Sequence, residues 1–260
     1  MDKNKQYIKA KVLSQERIAE DIFDLRLEAG AVAERAVPGQ FVSVYCNDRS
    51  RLLPRPISIC EADRKKGTLR LVYRIAGEGT REFSALTAGD TADVLGPLGN
   101  GFPLERMNEE KTAFLIGGGI GIPPLAELAR RLPGKKQIVL GYRSGPFLED
   151  AFAGRGDIYF ASEDGSIGTK GNVLDCICEH GLSADVMYAC GPTPMLRALQ
   201  SWAQEQNMEA WLSLEQRMAC GIGACLACVC RTKDKDEHSQ VNNARICAEG
   251  PVFRAEDVCI

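Results

Sequence analysis

The sequence predicts a β-barrel followed by an α/β domain with a doubly wound parallel sheet and a small cysteine-rich module. In the first hundred residues, short alternating strands are separated by Gly, Pro and Asp turns, which is typical of a small antiparallel barrel. Apolar strands then alternate with amphipathic helices, the pattern of a parallel sheet covered on both faces. Cysteines crowd the end of the chain. We place the three regions at 1–103, 104–215 and 216–260.

The individual elements follow from the same patterns. Alternating strand-like segments of the barrel lie at 9–18, 23–29, 40–46, 57–63, 69–75 and 91–97. The apolar strands of the sheet lie at 112–118, 137–142, 157–162, 186–191 and 210–215. One helix runs through Leu125, Leu128 and Leu132, and another runs through Leu196 and Leu199. The charged segment 233–240 reads as a solvated hairpin tip, as charge runs usually do.

Composition excludes several classes of protein. A chain of 260 residues with 45% hydrophobic and 26% charged residues is typical of a globular protein. We expect no leader and no membrane span, since no apolar run approaches eighteen residues. The eleven cysteines, an odd number, argue against a secreted disulfide framework and predict a cytoplasmic protein. A net charge of -3 without a long basic run makes nucleic acid an unsuitable partner.

Four cysteines carry the most specific signal in the chain. Cys220 and Cys225 are separated by four residues, Cys225 and Cys228 by two, and Cys228 and Cys247 by eighteen. This spacing matches the plant-type ferredoxin pattern for a 2Fe-2S cluster, in which a tight loop carries three thiolates and a distant one completes the site. The sequence therefore predicts a carrier of single electrons.

The small residues inside this loop support a cluster. Gly221 and Gly223 allow the bends that a loop around a cluster needs, and Ala224 and Ala227 leave room for inorganic sulfide. Two other interpretations stay open. Free cysteines are often simply buried, and four cysteines can hold structural zinc, although zinc sites usually pair them in two short knuckles.

Cys230 competes with Cys247 for the fourth ligand position, because it follows Cys228 by only two residues. In an extended segment it would point the same way as Cys228 but one strand step further on. We therefore expect Cys247, rather than Cys230, to be the ligand.

Two glycine-containing turns indicate a nucleotide site. The segment GGGIGIPPL at 117–125 directly follows a strand, so its backbone amides can approach a pyrophosphate, and prolines suit the first turn of the following helix. Ile122 stands where the dinucleotide fingerprint has its third glycine, so a tight packing turn is an equal alternative. A second such turn, ACGPTPML at 189–196, favours a ligand, because ligands gather at the carboxyl ends of sheet strands. Both turns should face one crevice.

The barrel contains a third candidate motif, RPISI at 55–59. Arg55 can pair with a phosphate, Ser58 can donate a hydrogen bond to a ring nitrogen, and Pro56 holds the course of the strand. An ordinary edge strand with a solvent-exposed arginine is the alternative.

Taken in order, these motifs resemble a known family. RPISI, YRIAGEGT, GPLGNGF, GGGIGIPPL and CGPTPML resemble the ferredoxin-reductase-like flavoproteins. The module with ACGIGACLAC and CAEGPVF resembles that of the electron-transfer subunits of class 1B dihydroorotate dehydrogenase. The resemblance covers nearly the whole chain. It implies FAD in the barrel, NAD at the sheet, and a partner catalytic subunit that holds FMN and binds dihydroorotate, as a heterotetramer of two of each in pyrimidine biosynthesis.

The resemblance also implies which residues bind the cofactors. The cluster ligands are the four cysteines named above. The FAD site falls on Arg55, Pro56, Ile57, Ser58, Val72, Tyr73, Arg74, Gly79 and Thr80. The NAD site falls on Gly117, Gly118, Gly119, Gly121, Glu163, Asp164, Cys190, Gly191 and Pro192.

Chemical reasoning is consistent with several of these assignments. Arg55 and Arg74 supply cations for a pyrophosphate. Tyr73 borders the flavin or packs in the barrel, and Cys190 orders the nicotinamide or is buried at a strand end. The carboxylates after the strand at 157–162 disfavour a 2'-phosphate, which predicts NAD rather than NADP.

The sequence contains no conventional acid-base or nucleophile constellation, and we expect both histidines, His180 and His238, at the surface. The chemistry then belongs to the cofactors, with hydride exchanged between NAD and FAD and single electrons between FAD and the cluster. We expect Ile222, Leu226 and Val229 to lie near the partner.

Two alternatives stay open. One is the small subunit of a related NAD(P)-linked ferredoxin oxidoreductase or sulfide dehydrogenase, in which an aspartate tends to stand where Cys220 stands. The other is a non-redox zinc module on a nucleotide-binding scaffold.

Overall fold

A computed structural model describes residues 5–235 and 240–260. The predicted hairpin tip at 233–240 therefore lies partly outside the described residues, as does His238. Within the described part of the chain, no helix is long and apolar enough to cross a membrane.

The N-terminal region folds as the predicted antiparallel barrel. Its strands are β1 (Gln6–Ala19), β2 (Ile22–Glu28), β3 (Phe41–Val44), β4 (Arg55–Asp63), β5 (Thr68–Arg74) and β6 (Thr91–Leu98), with short helices α1 (Ala31–Arg35) and α2 (Glu78–Phe83). The barrel closes in the order β1-β2-β5-β4-β3-β6. Alternate residues, such as Leu25, Leu27, Leu69 and Leu71, fill the interior, as the two-residue period of a strand requires.

The second region is built on a parallel sheet. Its elements are β7 (Thr112–Gly118), α3 (Pro123–Arg131), β8 (Lys135–Tyr142), β9 (Asp157–Ser162), β10 (Thr169–Lys170), α4 (Val173–Glu179), β11 (Val186–Cys190), α5 (Thr193–Glu205) and β12 (Glu209–Ser213). Short 3-10 turns lie at Leu104–Arg106, Gly119–Gly121, Glu149–Phe152 and Ala255–Asp257. The strands run in the order β10-β9-β8-β7-β11-β12, so the doubly wound prediction is confirmed.

The C-terminal region contains β13 (Val229–Thr232), β14 (Asn243–Arg245), β15 (Val252–Arg254) and β16 (Val258–Cys259). A small sheet joins β14, β13 and β16, whereas β15 adds to the large sheet antiparallel to β12. The expectation of a purely parallel sheet therefore omits its last strand. Three residues of extended chain have no pattern of their own, and the pairing arises because the edge of β12 needs a partner.

Helix α4 was also not predicted from the sequence. The side-chain carbonyl of Asn172 accepts hydrogen bonds from the backbone N–H of Leu174, at 2.8 Å, and of Asp175, at 3.3 Å. The Asp175 carboxylate accepts one in return from the Asn172 backbone N–H, at 2.8 Å. This reciprocal cap is a signal that the sequence carries at the start of the helix.

Three buried clusters position the regions against one another. The first fills the barrel. The second joins the outer face of the barrel, at Cys60 and Val72, to α3 and one face of the sheet. The third lies on the opposite face, under α4 and α5, and continues into the C-terminal module and the barrel residues Phe41 and Leu98. The barrel thus contacts both the sheet domain and the module.

Candidate functional site

The four predicted cysteine ligands come together in pairs. The thiol of Cys220 interacts with that of Cys225, and the thiol of Cys247 interacts with that of Cys228. Cys220 also acts electrostatically on Cys247, so the two pairs lie near each other. A 2Fe-2S cluster has four cysteine ligands shared between two irons. The donor set and its arrangement in two pairs therefore fit such a cluster.

Backbone amides point at the sulfurs. The N–H of Ala224 donates to Cys220 Sγ at 3.3 Å, and the N–H of Gly223 donates to Cys247 Sγ at 3.1 Å. The N–H of Cys247 donates to Cys228 Sγ at 3.4 Å. Such bonds stabilise negative charge on sulfur and tune the potential of a cluster held there.

The electrostatics of Cys220 favour the thiolate. Partial burial raises the pKa of its thiol, but hydrogen bonds from the backbone N–H groups of Ile222, Cys225 and Ala224 and from the Cys225 side chain outweigh burial and lower the pKa to about 6. The thiolate is the form that binds metal. Burial and the neighbouring Cys228 raise the pKa of Cys247, and a bound metal removes the proton from such a thiol.

Cys230 lies in strand β13, directly opposite Ala244. Burial raises the pKa of its thiol. Cys247 has the closer association with Cys228, which supports it as the fourth ligand. In residues 5–235 and 240–260, no three His, Cys, Asp or Glu side chains converge closely enough to hold one metal ion.

The cluster loop lies directly against the barrel. Gly221 has a φ of +68°, and a Cβ at this position would lie 2.8 Å from Ser43 Oγ in β3. Ser43 is 1% exposed and pairs with Pro56 of the RPISI strand. One strand therefore separates the cluster loop from the candidate flavin motif. Sequence reasoning missed Ser43, and no sequence signal pointed to it.

Asn100 is a second contact that the sequence did not reveal. Its side-chain amide donates to the carbonyls of Ala248, at 3.2 Å, and Glu249, at 2.9 Å. These two residues directly follow Cys247, the predicted fourth ligand. Arg245 Nη1 donates to the Gly223 carbonyl at 2.8 Å, which joins the two ends of the cysteine loop. The barrel thus holds the segment that carries the fourth cysteine.

The candidate flavin residues gather at one end of the barrel. The Arg55 guanidinium lies directly over Gly79, in the space that a Cβ there would take. Arg74 is exposed at the end of β5, and Ser58 is half-buried in β4. Thr80 Oγ1 accepts hydrogen bonds from the backbone N–H of Ala76, at 2.9 Å, and Gly77, at 3.2 Å, which fixes the turn between them. Two arginines around a glycine-lined turn fit the pyrophosphate of FAD.

Tyr73 is placed differently from the other flavin candidates. Its ring is buried in the barrel, stacked on Phe23 at 5.9 Å between centroids, and its hydroxyl accepts a hydrogen bond from Gln15 Nε2 at 2.9 Å. Of the two roles considered for Tyr73, its ring therefore packs in the barrel and does not border the flavin. Val72 points to the opposite side of the strand, toward the sheet domain. Only the backbone of Tyr73 is available to a ligand at the candidate site.

The two nucleotide turns lie against each other. A Cβ at Gly121 would lie 2.6 Å from the Cα of Gly191, and one at Gly118 would lie 2.6 Å from Met195 Sδ. Strands β7 and β11 are neighbours, with Gly117 opposite Cys190. Both turns thus follow the carboxyl ends of adjacent parallel strands, which is where nucleotides bind in such sheets.

Cys190 stands at the end of β11. The residue as a whole is partly exposed, but its thiol is enclosed, and this burial raises the pKa of the thiol to about 12. The side chain is a neutral thiol at neutral pH. It can pack against a ring but cannot serve as a thiolate there.

The acidic pair after β9 lies further from the two nucleotide turns. Glu163 is exposed and its carboxylate lies 3.9 Å from Arg143 Nε, beyond the end of β8. Hydrogen bonds from Ser166 lower the pKa of Asp164, so its carboxylate is charged. In sheet order, β9 is separated from β7 by β8. The pair is therefore remote from the turn at 117–121 but next to the end of β8.

The chain thus combines a barrel that carries two arginines suited to a flavin pyrophosphate, a sheet with two nucleotide turns, and a loop of paired cysteines. This combination defines the class of iron-sulfur flavoprotein oxidoreductases with a ferredoxin-reductase-like fold. Residues 9–102 match the model of the oxidoreductase FAD-binding domain, and residues 215–259 match that of the iron-sulfur cluster binding domain of dihydroorotate dehydrogenase B. The chain belongs to the family of electron transfer subunits of dihydroorotate dehydrogenase B.

Similar proteins support this membership over the full length. The chain is 47% identical to the dihydroorotate dehydrogenase B (NAD(+)) electron transfer subunit of Geobacillus kaustophilus, covering 96% of this chain and 97% of that one. It is 44% identical, with the same coverage, to that of Bacillus cereus strain B4264. The solved structure of an NADH-dependent reduced ferredoxin-NADP oxidoreductase superposes with a TM-score of 0.86 at 28% identity, over 97% of this chain and 90% of that one.

Proposed function

We propose that this chain carries electrons between a partner dihydroorotate dehydrogenase subunit and NAD, through a 2Fe-2S cluster and FAD. The observation that carries the proposal is the seating of the paired-cysteine loop on β3, one strand away from the RPISI motif. The same barrel contacts the sheet domain through its other face. Three cofactor sites in contact through one barrel support a relay.

The cofactor residues proposed from the sequence retain their roles here. The cluster ligands are Cys220, Cys225, Cys228 and Cys247. FAD binds at Arg55 to Ser58, at Val72 to Arg74 with Tyr73 contributing only its backbone, and at Gly79 and Thr80. NAD binds between the turns at 117–121 and 190–192, and Glu163 and Asp164 disfavour a 2'-phosphate. We assign these sites to regions 1–103, 104–215 and 216–260, with β15 of the last region completing the sheet of the second.

The partner is proposed to be a catalytic subunit that holds FMN and oxidises dihydroorotate in the cytoplasm, in a heterotetramer of two of each chain. The similarity to electron transfer subunits supports this proposal, because an electron transfer subunit exchanges electrons with a separate catalytic subunit. Ile222 and Leu226 expose 44% and 64% of their surface beside the cluster ligands. Apolar side chains exposed around a redox centre favour a protein contact that excludes water.

A reconstitution experiment tests the division of labour. The cofactor-loaded chain alone should oxidise NADH with an artificial acceptor but should not turn over dihydroorotate with NAD, since the sequence predicts a hydride site and does not predict a base for the substrate. Adding an FMN-bearing dihydroorotate dehydrogenase subunit should restore the NAD-linked activity. Oxidation of dihydroorotate by the isolated chain would refute the proposal.

The docking face is tested by Leu226→Glu, which places a charge in the proposed contact. We expect weaker complex formation in gel filtration and unchanged NADH-to-dye activity. Leu13→Glu is the matched control, because Leu13 is also exposed, at 41%, but lies in barrel strand β1. Val229 is half-buried in β13, so we expect less from its substitution. Normal assembly of Leu226→Glu would contradict the proposed face.

A further inference from the structure

An ion pair between a buried glutamate and a partly exposed arginine joins helix α3 to barrel strand β4. Glu127 of α3 is only 1% exposed, and its Oε2 accepts a hydrogen bond from the Ala62 backbone N–H at 3.3 Å. Arg130 Nη2 donates to the Ala62 carbonyl at 3.0 Å. The two side chains therefore bond both backbone groups of one strand residue, as a neighbouring strand would.

The pair is itself closely joined. Arg130 Nε lies 3.0 Å from Glu127 Oε2, and Arg130 Nη2 lies 2.7 Å from Oε1. Arg131 also pairs with Glu127, and its Nη1 donates to the Ala36 carbonyl at 3.2 Å, next to α1. The carboxylate thus organises two arginines, each of which reaches the backbone of the barrel.

Both elements carry a proposed cofactor motif. Helix α3 begins at Pro123, directly after the nucleotide turn at 117–121. Strand β4 begins with Arg55, the first residue of the flavin motif. The ion pair therefore joins the helix that follows the proposed NAD turn to the far end of the strand whose first residues form the proposed FAD motif.

Stability alone gives no reason for charges at this place. Cys60 and Val72 of the barrel already pack in one apolar cluster with Leu125 and Ile122, and a buried charge such as that of Glu127, even when paired, is often no more stabilising than an apolar side chain of similar size. What a hydrogen-bonded pair adds to an apolar contact is direction, because its bonds have defined lengths and angles.

We propose that Glu127 and Arg130 are positioning residues that fix the nicotinamide site against the flavin site. The inference rests on the proposed function. NADH and FAD held at the two sites would exchange a hydride with its electron pair, so that NADH would be oxidised and FAD, with a proton from solvent, would be reduced. The rate of such a transfer depends steeply on the placement of the two rings. Neither residue touches the reacting atoms.

The test uses the full chain with its flavin and cluster, mixed anaerobically with NADH in a rapid-mixing spectrometer. Arg130→Met removes the bond to the Ala62 carbonyl, and the Arg130 side chain is 40% exposed, so the variant should fold. We expect the limiting rate of flavin reduction to fall about tenfold or more, with the half-saturating NADH concentration within about threefold of wild type. Flavin and cluster absorbance should be unchanged.

Two further variants and a static measurement distinguish positioning from stability. Glu127→Gln keeps an acceptor for the Ala62 N–H and should give an intermediate loss, and Arg130→Lys should recover part of the rate lost in Arg130→Met. Saturation with NAD should perturb the flavin spectrum less in Arg130→Met than in wild type. Leu199→Ala, a fully buried position on the other face of the sheet, should lower the melting temperature and leave the limiting rate unchanged.

The outcomes separate the positioning role of Glu127 and Arg130 from the proposed function on which it rests. A limiting rate in Arg130→Met within twofold of wild type, or an equal loss of rate in Leu199→Ala, would refute the positioning role alone. A wild-type flavin that NADH does not reduce would refute both the proposed function and the positioning role.

Discussion

The barrel is joined to its two neighbours by different kinds of contact. Toward the sheet domain, charged side chains of α3 bond the backbone of β4, with Glu127 fully enclosed. Toward the C-terminal module, Phe41 and Leu98 share a buried cluster with Cys228 and Cys247. That second contact combines an apolar cluster, which includes two of the proposed cluster ligands, with hydrogen bonds from the Asn100 side chain to the module backbone.

The two contacts should depend differently on bound cofactor. The module is small, and its cysteine loop contains no helix or strand before β13. The loop is held instead by hydrogen bonds to the cysteine sulfurs and by contacts with the barrel. Metal binding to such a module contributes directly to folding. The sheet domain has its own large core, so its contact with the barrel should persist without any ligand. We expect cluster loss to loosen one contact only.

The largest effect is expected from Cys247→Ser, which removes one of the four proposed thiolates. The 2Fe-2S signal should be lost or severely weakened in electron paramagnetic resonance and in iron and sulfide content. Flavin content should be unchanged, because the RPISI motif belongs to barrel strand β4 and not to the cysteine module. The corresponding substitutions of Cys220, Cys225 and Cys228 should behave alike.

Cys230→Ser is the matched control for this change, since Cys230 also lies in the module but opposite Ala244 in β13. It should retain the cluster. Near-normal iron in Cys247→Ser together with loss in Cys230→Ser would show that Cys230 is the fourth ligand.

An intermediate effect is expected from Gly99→Ala, which disturbs the module contact without removing a ligand. Gly99 has a φ of +72°, and a Cβ there would lie 2.6 Å from Pro251 Cδ and 2.8 Å from the Gly250 carbonyl oxygen. Backbone strain alone costs about 1–3 kcal/mol, and the displaced contact adds to it. We expect a lower melting temperature and a lower cluster content.

Gly154→Ala isolates the cost of strain. Gly154, in the sheet domain, has a similar φ of +68°, but a Cβ there would have no neighbouring atom within 4 Å. The substitution should lower the melting temperature less and leave the cluster content unchanged. Equal cluster loss in the two variants would contradict the role of the Gly99 contact.

The smallest effect is expected from Arg55→Ala, which acts on the barrel rather than on either contact. It removes a proposed partner of the pyrophosphate, and a charge-assisted hydrogen bond contributes about 1.5–3 kcal/mol. FAD should bind about tenfold more weakly or worse, measured by flavin retained on gel filtration. Arg26→Ala, an exposed arginine paired with Asp24, should retain flavin. Full occupancy in Arg55→Ala would remove Arg55 from the site.

The regions of the fold followed from the sequence where the pattern was local and repeated. Alternation in the barrel strands and the switch to longer apolar strands were sufficient, because burial of one face imposes them. Strand β15 was not predictable, since its pairing depends on a free edge of β12 rather than on its own residues. Tyr73 was ambiguous for a related reason. A strand side chain alternates between two faces, and only the closed barrel shows which face is interior.

The four cysteines proposed as ligands could be predicted without the structure, because their spacing is a property of the chain and the loop geometry is local. The sequence also determined the glycine turns, since a strand followed by glycines and a helix is a local motif. Three contacts became visible only in the folded chain. Gly221 contacts Ser43, and Asn100 donates a hydrogen bond to the segment after Cys247. Glu127 and Arg130 form hydrogen bonds with the backbone of Ala62. These partners are 65 or more positions apart in the chain, and folding brings them together only because the barrel presents separate faces to its two neighbours.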